Sequence, residues 1–379
     1  GGYPVENISR IEIIRWPGSA LYGADAYVGV INIVTKSGAE MKGTRVGARV
    51  GTPGVRDAWV EHGSKFGSVD VGAYLRVGKT NGVNRTVDFD GQSAIDLGAN
   101  THASLAPGPV NAGAGSFDAN LDFSFENWRL RLSEKYRHDV GTGIGAADAL
   151  DPVGKSKSNR THVDLSWFNS QIAKDWGAGF SASVLRYIDN TDPAFRVFPP
   201  GTQLGPGLFP DGMLGAPSTY ERQIRISAYA TYSGFQNHTV RFGVGHDDLN
   251  MYKTTEFKNF DLTSYGLPVP IGQLVDVSNT APFILPKVRK VNYLYVQDEW
   301  NFLRGWTLTA GLRHDRFSDV GGTTNPRLAL VWDAAVNVTA KLLYGQAFRA
   351  PSFNEVAGVN NPVLKGNPKL RPETIRTLE

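Results

Sequence analysis

The chain has 379 residues, a formal net charge of +3 and no cysteine. Structural disulfides, thiolate metal sites and cysteine nucleophiles are therefore excluded, and so small a charge gives nucleic acid no footing. No run approaches 18 apolar residues, which excludes spanning helices; a barrel of spanning strands stays open, because half of its residues face water.

The first element, residues 10–38, reads "RIEIIRWPGSALYGADAYVGVINIVTKSG". It holds two strand-like runs around a small turn. Arg10, Glu12 and Arg15 interrupt the apolar residues Ile11, Ile13 and Ile14, and Ile31 and Ile33 are expected to be the buried side of the second run. Gly23 permits a tight backbone between them.

From about residue 40 the pattern changes to a period of two, the mark of half-buried strands. Strands are expected near 44–52, 55–65, 69–79, 118–126, 128–138, 160–172 and 177–189. They continue near 220–233, 237–248, 290–302, 306–315, 326–333 and 337–347, with a fourteenth starting near 373. "WRLRL" sets Trp128, Leu130 and Leu132 against Arg129 and Arg131, and "TVRFGVGH" sets Val240, Phe242 and Val244 against Arg241, Gly243 and Gly245. "RQIRISAYATY" and "WTLTAGLRH" place Arg225 and Arg313 on the polar side. The 43 glycines and the 11% of aromatic residues suit many strands joined by turns.

The connections alternate in length. "FGS", "EN", "KDWG", "GFQ", "LRG" and "AAVN" are tight turns, whereas 80–117, 139–159, 190–219, 249–289, 316–325 and 348–372 are long. Short turns at one rim and long loops at the other are the plan of an outer-membrane barrel. Trp128, Trp176, Trp300, Trp306, Trp332 and Tyr232 stand at strand ends, where an interfacial girdle belongs. A soluble β-sandwich or propeller also alternates and turns often, but with shorter strands.

Two stretches carry a family resemblance. "RIEIIRWPGSALYGADA" with "GVINIVTKSG" resembles the end of the plug domain of TonB-dependent outer-membrane receptors. "LLYGQAFRAPSFNEV" followed by "NPVLKGNPKLRPET" resembles a barrel segment of the same family around an extracellular loop. The resemblance implies an all-β fold: a transmembrane antiparallel β-barrel, incomplete here at 13–14 strands of an expected 22, preceded by the C-terminal part of a plug. Residues 1–39 would be plug and 40–379 barrel. A lumen that wide needs a plug; by resemblance Arg10, Glu12 and Arg15 would meet charged groups on the inner wall. Trp16 departs from the family, which usually has Gly there. The chain opens on Gly-Gly-Tyr-Pro without a leader and stops at "TIRTLE", and both ends read as truncated.

The resemblance implies an active-transport receptor that binds a scarce ligand at its outer loops, with a ferric siderophore as the first expectation and haem or cobalamin as alternatives. A TonB-type energy-coupling protein would be its partner, through a segment the chain does not contain. A passive porin, adhesin or barrel enzyme is the rival of another class. Phe195, Phe198 and Phe209 are candidates to stack on an aromatic chelate, with Arg196 as counter-charge. Lys155, Lys157 and Arg160 would attract an anionic chelate, or lipopolysaccharide phosphates at the rim. In the "FRAP" and "NPKL" boxes and the "RPET" that follows, Phe348, Arg349, Pro351, Asn367, Pro368, Pro372 and Glu373 are read as fixing a loop base. No His lies between Pro351 and Asn367 to ligate haem iron; His102, His246 and His314 are the substitutes. "GTGIGAAD" and "DFDG" lack the context of phosphate and calcium loops, and no hydrolase or metalloprotease motif occurs, so neither an enzyme nor a resident metal or cofactor is expected.

Overall fold

In the computed structural model, residues 3–14, 23, 26, 27, 29–361 and 365–379 are described. Two antiparallel strands come first, β1 (Ile8–Ile14) and β2 (Val30–Thr35), with Ile11 opposite Ile33 and Ile13 opposite Ile31. Ile31 is exposed rather than buried, together with Ile11 and Ile13, so this small unit turns an apolar face outward. The short helix α1 (Gly38–Met41) follows, closed by a Ser37–Glu40 capping box. It rests on Gly63 and Gly72, which pair across two strands; a Cβ on Gly38 would stand 2.5 Å from the Val71 backbone, so only glycine fits this approach.

The long strands then run β3 (Gly43–Gly51), β4 (Val55–Phe66) and β5 (Val69–Thr80). The first long connection carries β6 (Thr86–Val87), helix α2 (Gly91–Ala99) and β7 (Gly108–Pro109). Next come β8 (Ala114–Phe125), β9 (Trp128–Gly141), β10 (Lys155–Ala173) and β11 (Trp176–Thr191). The short strands β12 (Phe195–Phe198), β13 (Thr202–Leu204) and β14 (Gly207–Phe209) lead to β15 (Met213–Tyr232) and β16 (His238–Leu262). After β17 (Pro268–Asp276) the chain continues through β18 (Lys287–Leu303), β19 (Trp306–Phe317), β20 (Gly321–Ala335) and β21 (Val338–Arg349). Helix α3 (Phe353–Ala357) precedes the last strand, β22 (Glu373–Leu378).

Fourteen of these strands form one antiparallel sheet in sequence order, with β3 and β22 as its two edges; β12 and β17 add to β15 and β16. They are the fourteen expected from the sequence, but longer at the loop rim. β16 runs 25 residues. A tilted strand crosses a bilayer in about 9–11 residues, so over half of β16 projects beyond it. The expected long connection at 316–325 is only a three-residue turn, because β19 and β20 extend to Phe317 and Gly321.

The two faces of the sheet differ as the alternation requires. Val244 opposite Leu294, and Phe242 opposite Val296, point outward and remain exposed. The cross-strand pairs Trp176–Tyr232 and Trp306–Trp332, with ring centroids 4.7 and 5.0 Å apart, sit beside the tight turns and form one aromatic girdle. The inner face is charged and paired: Arg129 binds Asp122, Arg131 binds Asp164, and Asp118 receives both Arg76 and Arg137. Leu130 and Leu132 alternate with these arginines, as read from "WRLRL".

Candidate functional site

Between the small unit and the inner wall the contacts are polar. Lys36 on the unit meets Glu61 on β4 at 2.9 Å, Glu6 meets Arg49 on β3 at 3.0 Å, and Lys135 on β9 stands 3.9 Å from the centroid of the Tyr3 ring. The residues expected in this role do something else. Arg10 pairs with Glu12 at 2.7 Å, and Glu12 also accepts from Asn32 on β2, so both charges are spent within the unit's own exposed surface. Arg15 lies outside the described residues, as do Trp16 and Pro362. Glu6 and Lys36 were missed because they flank the strands instead of interrupting them.

Above the unit a cavity of about 290 Å³ opens beside Gly23. Arg225, Arg289, Arg313 and Arg349 line it, against the carboxylates Asp247 and Asp315. Gly23 has φ +80°, and a Cβ there would stand 2.9 Å from Arg313 Nη2, so its bare backbone abuts the guanidinium. Arg313 donates to both oxygens of buried Asp315 at 2.7–2.9 Å, and its guanidinium lies 3.8 Å from the Tyr293 ring centroid. Arg289 grips Asp319 at 2.8–3.0 Å and donates to the Pro351 carbonyl at 2.8 Å. Arg225, 46% exposed at its side chain, stands 4.0 Å from Asp247. Counter-ions hold these guanidiniums in place, yet four cations to two carboxylates line the space itself, a disposition that favours an anion.

Arg225, Leu249, Arg289 and Ser352 also border a second cavity of about 600 Å³ on the loop side. Aromatic rings of Tyr187, Phe195, Phe283 and Phe353 line it, with Asp189 and Glu221. The two spaces form one chamber walled by β11, β15, β16 and β18, with α3 at its side. No histidine lines either part among the described residues. His246 and His314 bond Asn292 and Thr324 on the outward face, sharing it with Leu294.

Of the aromatic candidates, Phe195 faces this chamber. Phe209 does not: it is buried with Met213 and Phe260 in the loops' own core, and Phe198 packs against the same cluster, so Phe209 has no face for a ligand. Arg196 sits in β12, where its backbone N–H donates to Asp151 at 3.1 Å. The basic candidates divide by strand parity. Arg160 lines the inner cavity next to the small unit. Lys155 and Lys157 belong to the opposite face of β10, and Lys157 pairs with Asp192 at 2.8 Å.

The boxes near the end hold the chamber's edge. Phe348 is fully buried, edge-on to Phe317. Arg349 bridges Glu355 and Glu373 at 2.8 and 2.7 Å. Ser352 caps α3 in a capping box with Glu355, whose carboxyl is held down at about 2 by the Arg349 guanidinium and the Ser352 N–H. The Asn367 N–H donates to the Glu355 carbonyl, while Pro368 and Pro372 flank the return to β22. A β-bridge from Gly358 to Ile284 ties this loop to the one before β18. The sequence set Arg225 and Arg313 on the polar side of their strands but did not mark them, or Arg289, as ligand contacts; the usable signal is an arginine on the inward parity near the loop end of each strand.

Residues 62–379 match the family described as TonB dependent receptor-like, beta-barrel. An iron-regulated outer membrane virulence protein of Vibrio cholerae is 25% identical over 98% of this chain and 49% of its own length. The vitamin B12 transporter BtuB of Vibrio cholerae is 23% identical over 99% and 52%, and the ferric enterobactin receptor of Pseudomonas aeruginosa 23% over 93% and 48%. The chain thus spans about half the length of the curated relatives it matches. Among solved structures, a mutant of the ferric enterobactin receptor PfeA from Pseudomonas aeruginosa superposes with a TM-score of 0.64 at 15% identity, covering 98% of this chain and 55% of that one. The siderophore receptor PirA from Pseudomonas aeruginosa gives 0.60 at 16%, over 98% and 58%. The open fourteen-stranded sheet, its polar contacts with the small unit and these matches agree: the chain belongs to the TonB-dependent receptor β-barrel family of the outer membrane.

Proposed function

We propose that this chain carries the ligand chamber of an outer-membrane active-transport receptor whose cargo is an anionic ferric chelate of the siderophore type. The observation that carries the reading is the set of guanidiniums from Arg225, Arg289, Arg313 and Arg349 turned into one cavity beside Gly23. Fixed guanidiniums bind planar or chelated oxyanions better than lysines do, and Phe195, Phe283 and Phe353 above them supply faces for aromatic rings. A TonB-type coupling protein pulling on the plug would release the cargo, and the polar contacts Lys36–Glu61 and Glu6–Arg49 suit a plug that has to move. The outward parity of Lys155 and Lys157 at the loop rim supports a contact of these lysines with lipopolysaccharide phosphates, for which Lys157 would exchange Asp192. The reading is one of transport, without catalysis.

The alternatives are weighed by the same cavity. Haem would need an axial ligand, and among the described residues the lining holds no histidine but does hold Tyr187 and Met251, which keeps haem in the test. Cobalamin is favoured by the likeness to vitamin B12 transporters. The test is a titration of ferric catecholate, ferric hydroxamate, haem and cyanocobalamin against the tryptophan fluorescence of the full-length protein in detergent. Saturable quenching by the ferric catecholate is expected; quenching by cyanocobalamin or haem alone overturns the proposal.

A further inference from the structure

The chamber is polarised along its depth, and this bears on the kind of chelate it takes. Asp315, Asp319, Asp247 and Glu355 each stand against an arginine. Among the described residues, no arginine or lysine pairs with Asp189 or Glu221. Each sits two positions from a polar neighbour on its own strand, Tyr187 for Asp189 and Gln223 for Glu221. Glu221 lies directly across from Tyr187, and Asp189 across from Thr219, so both carboxylates occupy one patch of the inner wall. That patch borders the larger, loop-side cavity, whereas Arg313 borders only the smaller one beside Gly23.

A ligand entering from the loops therefore meets two carboxylates among aromatic rings in a space whose floor is bordered by Arg225 and Arg289, and then Arg313 beside Gly23. From the rise of an extended strand, Glu221 and Arg225 are about 13 Å apart along β15. Carboxylates facing a half-enclosed space favour a cation there, and the rings of Tyr187, Phe195 and Phe353 add attraction to an ammonium group. An all-anionic chelate would gain nothing from Asp189 and Glu221 themselves, whereas a cationic arm would.

Resting on the proposed function above, we infer that the cargo is a two-ended chelate: an anionic metal centre seated among Arg225, Arg289 and Arg313, and a protonated amine about 13 Å away held by Asp189 and Glu221. The acidic patch sets specificity within the class of anionic chelates, while the arginines set the class.

The experiment compares two ferric tricatecholates with the full-length protein in detergent. One carries a primary amine on an arm of that length; the other is the same molecule with the amine acetylated. The amine form should bind at least tenfold tighter, and in Asp189→Asn/Glu221→Gln the two should bind within twofold of each other. Equal affinities in the unaltered protein, or a preference that persists in the variant, overturns the inference while leaving the anionic-chelate reading intact. Binding of neither chelate overturns both. The ratio is read within each protein, so a variant that loses overall affinity does not mimic the expected result.

Discussion

Gly245 lies beneath the ring of Tyr293: a Cβ on Gly245 would stand 2.2 Å from the ring carbon Cζ. The two residues face each other across β16 and β18, and the same ring carries the Arg313 guanidinium at 3.8 Å. The missing side chain thus decides where a phenol lies, and the phenol helps decide where a chamber arginine points. Gly243 with Tyr295, and Gly179 with Tyr229, repeat the arrangement. Gly245→Ala should force Tyr293 aside and destabilise the barrel by about 1–3 kcal/mol, as overpacking does. Adding Tyr293→Ala should recover part of that loss, because the clash is gone. Urea titrations of the four proteins of this cycle check the coupling, and strictly additive effects would contradict it.

The outward row makes a prediction of opposite kind. Val244 is 58% exposed and stands six residues from the turn end of β16, near the middle of a tilted span. Val244→Arg should cost about 2–4 kcal/mol in protein folded into bilayers. Val244→Leu should be nearly silent. Equal stability of the arginine and leucine variants would mean that this face does not meet lipid.

Glu355 gives a pH prediction. Its carboxyl is held at about 2, below the usual 4.5, chiefly by Arg349 and then by the Ser352 N–H. A lowered value stabilises the folded loop above the ordinary carboxylate range, and that contribution fades only as pH falls through the folded value. The 350–372 loop should therefore keep its protease resistance at pH 4. Arg349→Ala should make the loop easier to cleave at neutral pH and flatten the dependence of its cleavage on pH below 5, because Glu355 then titrates more nearly alike in the folded and opened loop.

Glu256 works the other way. It projects beyond the membrane on β16, and burial pushes its carboxyl up to about 7, with Lys258 opposing the shift. Among the described residues, neither Glu256 Oε2 nor Lys258 Nζ has a hydrogen-bond partner. An acid whose value is raised on folding costs nothing while it is protonated in both states, and it destabilises progressively between the unfolded and folded values as pH rises. Hydrogen-exchange protection of the β16–β17 hairpin should fall from pH 5 to pH 8, and Glu256→Gln should flatten that dependence.

Several elements were legible in the sequence for a physical reason. In "TVRFGVGH" and "WRLRL" one side meets lipid and the other a charged wall, so every second residue reports its face. β16 beyond Asp248 was not legible, since "MYKTTEFKNFDL" packs among loops and buries residues such as Lys258 and Phe260 together. Phe209 looked available because a Pro- and Gly-rich loop reads as open, yet β12, β14 and the end of β16 give it a core of its own. The chamber was the least legible part. Arg289 and Arg313 lie on the consecutive strands β18 and β19 and Arg225 on β15, and only the register of the sheet brings the three to one space.

The most direct test of the account is to locate the metal. Crystals of the full-length protein with a ferric tricatecholate, measured at the iron absorption edge, should show one anomalous peak in the cavity bounded by Gly23, Arg225 and Arg313. A peak confined to the outer surface of the loops, or on the outward face near His246 and His314, would contradict it.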